Sequence, residues 1–549
     1  MSQPIVASIH QAMGISGVSV AGERLAALPE LGAAWQPLVV GPDISDDQVD
    51  RSALGGCDDL HIASWPSGSD VIQRIMTIRE AIKSMGATVV APHDCIEGYV
   101  AAASLAHRGV RSMMWHHSSG HDGENVILAA GGLADAWAAV STQLAARAQQ
   151  LCPELGAPAL KELPVCTRVP EVPMARVPAA RTIRLIYVGR LERAHKRVMD
   201  LALLADLMHQ QGARFHMTIV GDGPARDALA TRMSGHISAG RVRMLGKVSP
   251  AQAVELYGAH DVGLLVSRSE GMPLAVSECM AAGRAVAITT GCGAAVQAVV
   301  HGENGWIVPV GDMAALAKEL AKYTEAKDPL ARMGIAAQRT ARRLWSHEAL
   351  APAYSMLINA AASAPCPVTD SESVVRAWGS MMHAIGLMLP NGADKQTLEH
   401  IVQFRDWWAH ELPAYGIQVD PETLSAVPPR VLTASARLFL ESLASLRARG
   451  CRRVVVYGAG AHTRAIESVV QGATEVVGIV DDKAYPASDV IAGHRVVTPA
   501  GAHELNPDAV IVSSDEYEEE LLTRAESWAS GLVLASVHTR IEDAERLAA

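Results

Sequence analysis

Glu270 and Glu278 stand eight positions apart in the segment SRSEGMPLAVSECMAAGRAVA, residues 267–287. A separation of a little over two helical turns leaves two side chains near one helical face. The Gly-Met-Pro turn puts the first acid on an entering loop and the second inside a helix of small residues. Both can then address one ligand at the helix N-terminus. That terminus offers unpaired N–H groups and a partial positive charge, which suit a diphosphate. Carboxylates for hydroxyls and amides for phosphates together describe a sugar-nucleotide pocket.

Other residues could complete such a pocket. Arg190 and Lys196 follow the apolar run RLIYVG (184–189). Two cations on one loop can neutralise a diphosphate and stabilise charge that builds on it; a solvated basic loop is the plain alternative. Gly221 and Gly223 in VGDGP let the backbone turn close to a ligand, or simply serve a strand-to-helix turn. Gly14 and Gly17 in GISGVS (14–19) follow the first apolar run. His116 and His117 follow RSMMW, and His93 and Asp94 in APHD either line a cleft or cap a helix.

Elements must hold these residues. PIVASI, GERLAALPEL, WQPLVVG, DVIQRIMTIREAIKSMG and ATVVAPHD alternate strand-like and helical patterns, which predicts a parallel sheet with covering helices over residues 1–175. LPVCTRVPEVPMARVPAA (163–180) breaks the pattern as a Pro-rich linker. A second alternating domain follows from 181, and SHEALAPAYSMLINAA (346–361) reads as an amphipathic helix closing it. After the polar break SAPCPVTDSES (363–373), residues 374–448 carry helical patterns to which no role is assigned. A last α/β unit occupies 450–549.

Four segments, RLIYVGRLERAHKRV (184–198), FHMTIVGDGPARDAL (215–229), VRMLGKVSPAQAVELYGAHDVGLLVSRSEGMPLAVSECMAAGRAV (242–286) and HGENGWIVPVGDMAALAKEL (301–320), resemble the donor-binding half of retaining glycosyltransferases of the glycosyltransferase 4 family. Their common order and spacing must preserve a whole βαβ layout, which makes the set specific. The resemblance implies an α/β protein of GT-B fold, two Rossmann-like domains facing a cleft: 1–175 on the acceptor side and 181–361 on the donor side, with 346–361 crossing back. It implies that Arg190 and Lys196 hold the diphosphate, Glu278 the ribose and Glu270 the transferred sugar. Gly271, Met272, Pro273 and Leu274 would lie along sugar and phosphate, although proline has no N–H to donate. Gly221 and Gly223 would line the donor site, Gly246 and Val248 the nucleobase, and Gly14 and Gly17 the diphosphate and acceptor. A histidine near the anomeric carbon is expected, His116 in preference to His117. The catalytic set is therefore His116, Glu270, Arg190 and Lys196. The loop carrying Arg190 is one residue longer than the commonest family form, and LPVCTRVPEVP lacks the Asn-Gly turn often found there.

The implied reaction moves a sugar from a nucleotide-sugar donor to a hydroxyl of a glycan, lipid-linked or protein acceptor, with front-face retention of configuration. No cofactor or metal is expected for transfer, and the donor region has no Asp-x-Asp. In the last unit, CRRVVVYGAGAHTRAI (451–466) reads as strand, glycine loop and helix, and Asp481 follows Gly460 by 21 residues, where a Rossmann unit reads a ribose. The loop lacks the third glycine. This unit resembles small Rossmann domains attached to sugar-modifying enzymes. Gly458, Gly460, His462 and Asp481 are its candidate site for NAD(P), a nucleotide-sugar or a related nucleotide; a role in assembly alone is the alternative.

Composition narrows the field. The 549-residue chain is 49% hydrophobic, 19% charged and only 4% aromatic, so cores of Ala, Val and Leu are expected. A formal charge of −11 argues against nucleic acid as a partner. Residues 1–175 hold about 10 basic and 18 acidic side chains, so no cationic membrane-docking face is expected there. The N-terminus lacks the basic and apolar pattern of a secretory signal, and no apolar run approaches the ~20 residues that span a bilayer. Eight scattered cysteines without CxxC read as reduced packing thiols, which disfavours zinc. A cytoplasmic location is expected, at most peripheral to the inner face of the membrane. Two other functions fit the same features: a nucleotide-dependent oxidoreductase or isomerase working through the last domain, and a non-catalytic nucleotide-sugar-binding protein.

Overall fold

Runs of four to six residues that are apolar on both faces are stable only where helices cover both sides of a sheet. Three such sheets form. The computed structural model describes residues 3–11, 31–45, 49, 60–117, 121–160, 162–174, 182–323, 328–389, 393–424, 439, 442–443, 445–447, 449–460, 463–464, 466–483, 485–486, 490–514 and 518–536. Gly14, Gly17 and His462 lie outside the described residues.

The first sheet contains β1 (Ile5–Gln11), β2 (Ala34–Pro42), β3 (His61–Trp65), β4 (Val89–Pro92), β5 (Arg111–His116) and β6 (Ala136–Ala139), all parallel, in the order β3-β2-β1-β4-β5-β6. The second contains β7 (Ile183–Val188), β8 (Phe215–Val220), β9 (Val242–Gly246), β10 (Val262–Leu265), β11 (Ala285–Thr289) and β12 (Gly305–Val308), in the order β12-β11-β10-β7-β8-β9. In each sheet the winding reverses once, between β1 and β4 and between β7 and β10. Ligands of open α/β sheets bind beyond the carboxyl ends of the strands at such a reversal. His10 and His93 mark that place in the first lobe; Arg190 and Ser267–Glu270 mark it in the second.

Local chemistry sets the helix ends. Asp70 accepts from the amides of Ile72 and Gln73 while Gln73 takes the Asp70 amide, a capping box that starts helix Val71–Ser84. Ile75, Ile78 and Ile82, spaced by three and four, bury its inner face. Ser249 and Gln252 do the same for helix Pro250–Ala259, where proline occupies the first turn.

The two lobes form one compact unit, residues 1–388 and 393–428. Helix His347–Ala362 returns to the first lobe and packs on β5 and β6. Its Tyr354 hydroxyl donates to the Pro164 carbonyl at 2.6 Å and accepts from the Cys166 amide at 3.0 Å, pinning the linker. Trp115 Nε1 donates to the Leu163 carbonyl at 2.7 Å, and Thr167 and Ser277 hydroxyls meet at 2.7 Å.

The 374–448 stretch is divided. Helices Ser371–Leu387 and Lys395–Glu411 pack on helices of the first lobe. There Arg79, wholly buried, reaches Glu411 at 2.5 Å and lies 3.7 Å from the Trp407 ring centre; Arg108 pairs with the same carboxylate. Phe439, Leu443 and Leu446 belong instead to the core of the second compact unit, residues 389–392 and 429–549. Its sheet joins β13 (Val454–Tyr457), β14 (Val476–Val480), β15 (Val490–Ile491), β16 (His494–Val497), β17 (Ala509–Val512) and β18 (Val533–Ser536) in the order β15-β16-β14-β13-β17-β18, with only β15–β16 antiparallel.

Ala, Val, Leu and Ile make up most of the buried core, as the composition leads one to expect. Trp137, Trp306, Trp378 and Trp408 are among the largest fully buried side chains. None of the described helices is long and apolar enough to cross a membrane.

Candidate active site

Glu270 lies on the loop after β10, held by two groups. Its Oε1 accepts from Lys196 Nζ at 2.6 Å and from Ser267 Oγ at 2.6 Å. Lys196 sits on the loop after β7, and that loop is tied to the Glu270 loop by the Arg268 amide, which donates to the His195 carbonyl at 2.7 Å. The acid and the basic loop, 74 residues apart, therefore converge. Arg190 is on the same basic loop with its side chain exposed, and its carbonyl accepts from Tyr187 Oη at 2.9 Å.

Helix Leu274–Ala281 starts directly after this loop. Pro273 stands at its N-cap position and no side chain caps it. First-turn amides of an uncapped helix carry a partial positive charge with few protein acceptors, the arrangement that suits an anion. Glu278 lies one turn further along the same helix and is partly exposed.

The predicted glycines fall into two groups. Gly271 faces the other lobe: a Cβ there would stand 2.0 Å from the His117 carbonyl oxygen. Gly221 and Gly223 face their own lobe. A Cβ at Gly221 would meet the Gly189 carbonyl at 1.9 Å, and one at Gly223 the Leu191 carbonyl at 2.4 Å. Both also have positive φ. Their glycine identity is explained by the close approach of the 189–191 backbone, which shapes the basic loop. The Gly246 carbonyl accepts from the Gly221 amide at 2.8 Å, and Val248 packs partly on the core. Met272 is engaged across the linker, its sulfur accepting from the Val165 amide at 3.0 Å.

On the first lobe, His116 ends β5 and is buried; burial pushes its imidazole down to about 4. His117 is buried next to it, pushed down to about 3 by burial first and then by neighbouring imidazoles. Its Nε2 lies 3.2 Å from His93 Nδ1. His93 thus faces the interior and is no helix cap: the following helix begins at Ile96 with Cys95 at its N-cap position and no side-chain bond there. A cavity of about 350 Å³ opens beside Glu270, lined by Ser141, Gln143 and Arg147 of the first lobe and by Arg268 and Thr290 of the second.

Several contributors were not apparent from sequence. Ser267 steadies Glu270. Gly291 and Gly293 back the acidic loop: a Cβ on Gly291 would stand 2.0 Å from the Arg268 carbonyl, and one on Gly293 2.2 Å from that of Glu270. The TTGCG run after β11 was the available signal. Ser8 and His10 join the buried histidines, with no local sequence cue. Among the described residues no group of three or more His, Cys, Asp or Glu is arranged to hold a metal ion.

In the second unit, Gly458 has φ of 113° and a Cβ on it would meet the Ser513 carbonyl at 2.8 Å. Gly460 has open space around it. Asp481 is occupied: its Oδ2 accepts from the Ala459 amide at 2.8 Å and its Oδ1 from the Lys483 amide at 2.9 Å. The acid fastens the glycine loop to the end of β14.

Two Rossmann-like lobes, with the Lys196–Glu270 pair at the uncapped start of a second-lobe helix, give the chain the GT-B fold. The solved Anabaena Alr3699/HepE, in complex with UDP-glucose, shares that fold at a TM-score of 0.51 and 15% identity, covering 65% of this chain and 99% of that one. Residues 182–325 match the family described as glycosyl transferases group 1. Residues 450–529 match the family C2185-like, N-terminal. The amylovoran biosynthesis glycosyltransferase AmsK of Erwinia amylovora is 29% identical over 28% of this chain and 39% of its own length. The N-acetyl-alpha-D-glucosaminyl L-malate synthase of Bacillus anthracis is 26% identical over 32% of this chain and 44% of its own. The chain thus spans less than half the length of these curated relatives.

Proposed function

We propose that the first unit transfers a sugar from a nucleotide-sugar donor to an acceptor hydroxyl, with retention of anomeric configuration. The observation that carries this proposal is the Lys196–Glu270 pair at the uncapped N-terminus of helix Leu274–Ala281, facing His117 across the lobes. Lys196, Arg190 and the first-turn amides neutralise the leaving diphosphate. Glu270 and Glu278 hold hydroxyls of the sugar and the ribose. The bond from the anomeric carbon to the phosphate oxygen breaks while the acceptor oxygen bonds to the same face, and the acceptor proton passes to the leaving phosphate. The protein's part is to position both reactants and match charge, with His116 beside the reacting carbon.

The Anabaena neighbour was solved with UDP-glucose, so UDP-sugars are the first donors to try. A hydroxyl of a growing surface polysaccharide, glycolipid or glycoprotein is the proposed acceptor, in keeping with the amylovoran role that the Erwinia relative's name carries. A cytoplasmic location is part of this reading, since scattered cysteines without CxxC suit a reducing compartment. For the second unit we retain nucleotide or NAD(P) binding at Gly458 and Gly460, with Asp481 acting through the loop it fastens.

Lys196→Ala and Glu278→Ala should each lower transfer by on the order of 100-fold or more while leaving the melting temperature near wild type. Full activity in both variants would overturn the proposal. Thermal shifts with UDP-, GDP-, ADP- and TDP-sugars and NAD(P), on the full chain, report which ligand stabilises it by mass action.

A further inference from the structure

Four polar residues lock together beneath the cleft face of the first lobe. Ser8, fully buried on β1, has its Oγ 2.8 Å from His10 Nε2 and 3.0 Å from His93 Nε2. His93 Nδ1 in turn meets His117 Nε2 at 3.2 Å. The rings are packed as well as bonded: His10 stacks on His93 at 4.9 Å, and Trp115 lies 4.3 Å from His117. Strand order makes this possible, since β1, β4 and β5 are consecutive neighbours in the sheet.

Burial keeps all three imidazoles neutral, holding His10 down at about 4, His117 at about 3 and His93 well below its ordinary value. A neutral imidazole has one N–H and one acceptor nitrogen, and a serine hydroxyl has one proton. A serine oxygen also has two lone pairs, so the row His10–Ser8–His93–His117 can be satisfied in three ways. In one, His10 donates to Ser8, Ser8 to His93 and His93 to His117, so His117 carries its proton on Nδ1. In the second every bond reverses, and in the third Ser8 accepts from both imidazoles; in these two His117 carries its proton on Nε2. The direction of the Ser8–His93 bond therefore decides the proton on His117. Any other pattern sets two donors or two lone pairs against each other in a dry interior, where an unmade hydrogen bond is expensive.

The row ends at the active site. His117 is the residue whose carbonyl abuts Gly271 on the donor loop. We propose that Ser8 is a positioning residue: acting through His93, it sets which ring nitrogen of His117 carries the proton and so fixes the strand end that the first lobe presents to the donor loop. A structural core would be filled more simply by apolar side chains. A fully bonded polar row at the point where the sheet reverses its winding is the kind of departure from simple packing that marks functional positions.

Nitrogen-15 NMR of the histidine side chains in the full chain tests this without any activity. Wild type and Ser8→Thr should show His117 as one tautomer, and Ser8→Ala a mixture of both. His10→Phe keeps the ring stack but leaves His93 as the one imidazole acceptor for the Ser8 proton, so His117 should show N–H on Nδ1. A second arm rests on the glycosyl-transfer proposal: Ser8→Ala should lower kcat on the order of 10-fold, with donor KM within about 2-fold and Ser8→Thr restoring the rate. An unchanged His117 tautomer in Ser8→Ala, or an Nε2 proton in His10→Phe, overturns the positioning role. If wild type shows no transfer, the functional proposal fails, and the NMR result still decides the role of Ser8.

Discussion

Mild acid should loosen the first lobe, and its buried histidines set the size of the effect. His10 and His116 titrate at about 4 and His117 at about 3 in the folded chain, against about 6.5 when unfolded. The cause is burial, and no carboxylate acts on any of the three to raise it. Between those values the unfolded chain binds more protons than the folded one, so stability falls as pH drops through 6.5 and keeps falling until the folded values are reached. From pH 7 to pH 5 each histidine removes about 2 kcal/mol, and the three together on the order of 5 kcal/mol. That is a large share of a typical stability of about 5–15 kcal/mol. Ordinary carboxylates, near pKa 4, contribute little above pH 5. Calorimetry of the full chain should show its first transition falling on the order of 10 °C over this interval. His10→Phe should remove about 2 kcal/mol of the fall, one share among several, since burial also holds His93 and His107 below the ordinary value. A melting temperature flat from pH 7 to pH 5, or a slope untouched by His10→Phe, would refute the reasoning.

Two further outcomes follow from packing. Gly271→Ala puts a methyl group 2.0 Å from the His117 carbonyl and 3.2 Å from Leu144; transfer should drop at least 10-fold while circular dichroism is unchanged, because the lobes must separate for the methyl to fit. Glu411→Ala leaves Arg79 wholly buried with only the half-exposed Glu80 as counter-charge, which should cost about 3–5 kcal/mol; faster hydrogen exchange across helix Lys395–Glu411 is the expected readout.

Local motifs were legible where chemistry and backbone turn coincide in one segment. Glu270, the Gly-Met-Pro turn and Glu278 share a single loop and helix start, so their convergence could be argued from spacing, and Lys196 followed from the strand before it. The three-sheet architecture was legible for a related reason: short doubly apolar runs leave few alternatives to parallel strands. Partners joined by strand order were not. Ser8 and His93 lie 85 positions apart and meet only because β4 docks beside β1. Arg79 and Glu411 are separated by 332 positions, and nothing in either neighbourhood announces the pair. Gly221 and Gly223 show another limit: their spacing left ligand contact and a plain strand-to-helix turn equally open, and their close approach to the 189–191 backbone depends on strand order.

The ion pair at the head of the donor-lobe helix bears on how product leaves. Lys196 and Glu270 serve as each other's counter-ion. On the proposed function, an intact donor resolves the exchange completely, its phosphate taking the ammonium and its sugar hydroxyls taking the carboxylate. A spent nucleoside diphosphate offers only the first half of that trade and leaves Glu270 with the Ser267 hydroxyl but no counter-charge. On that reading the Lys196–Glu270 pair competes with the by-product for the ammonium, so self-neutralisation favours release.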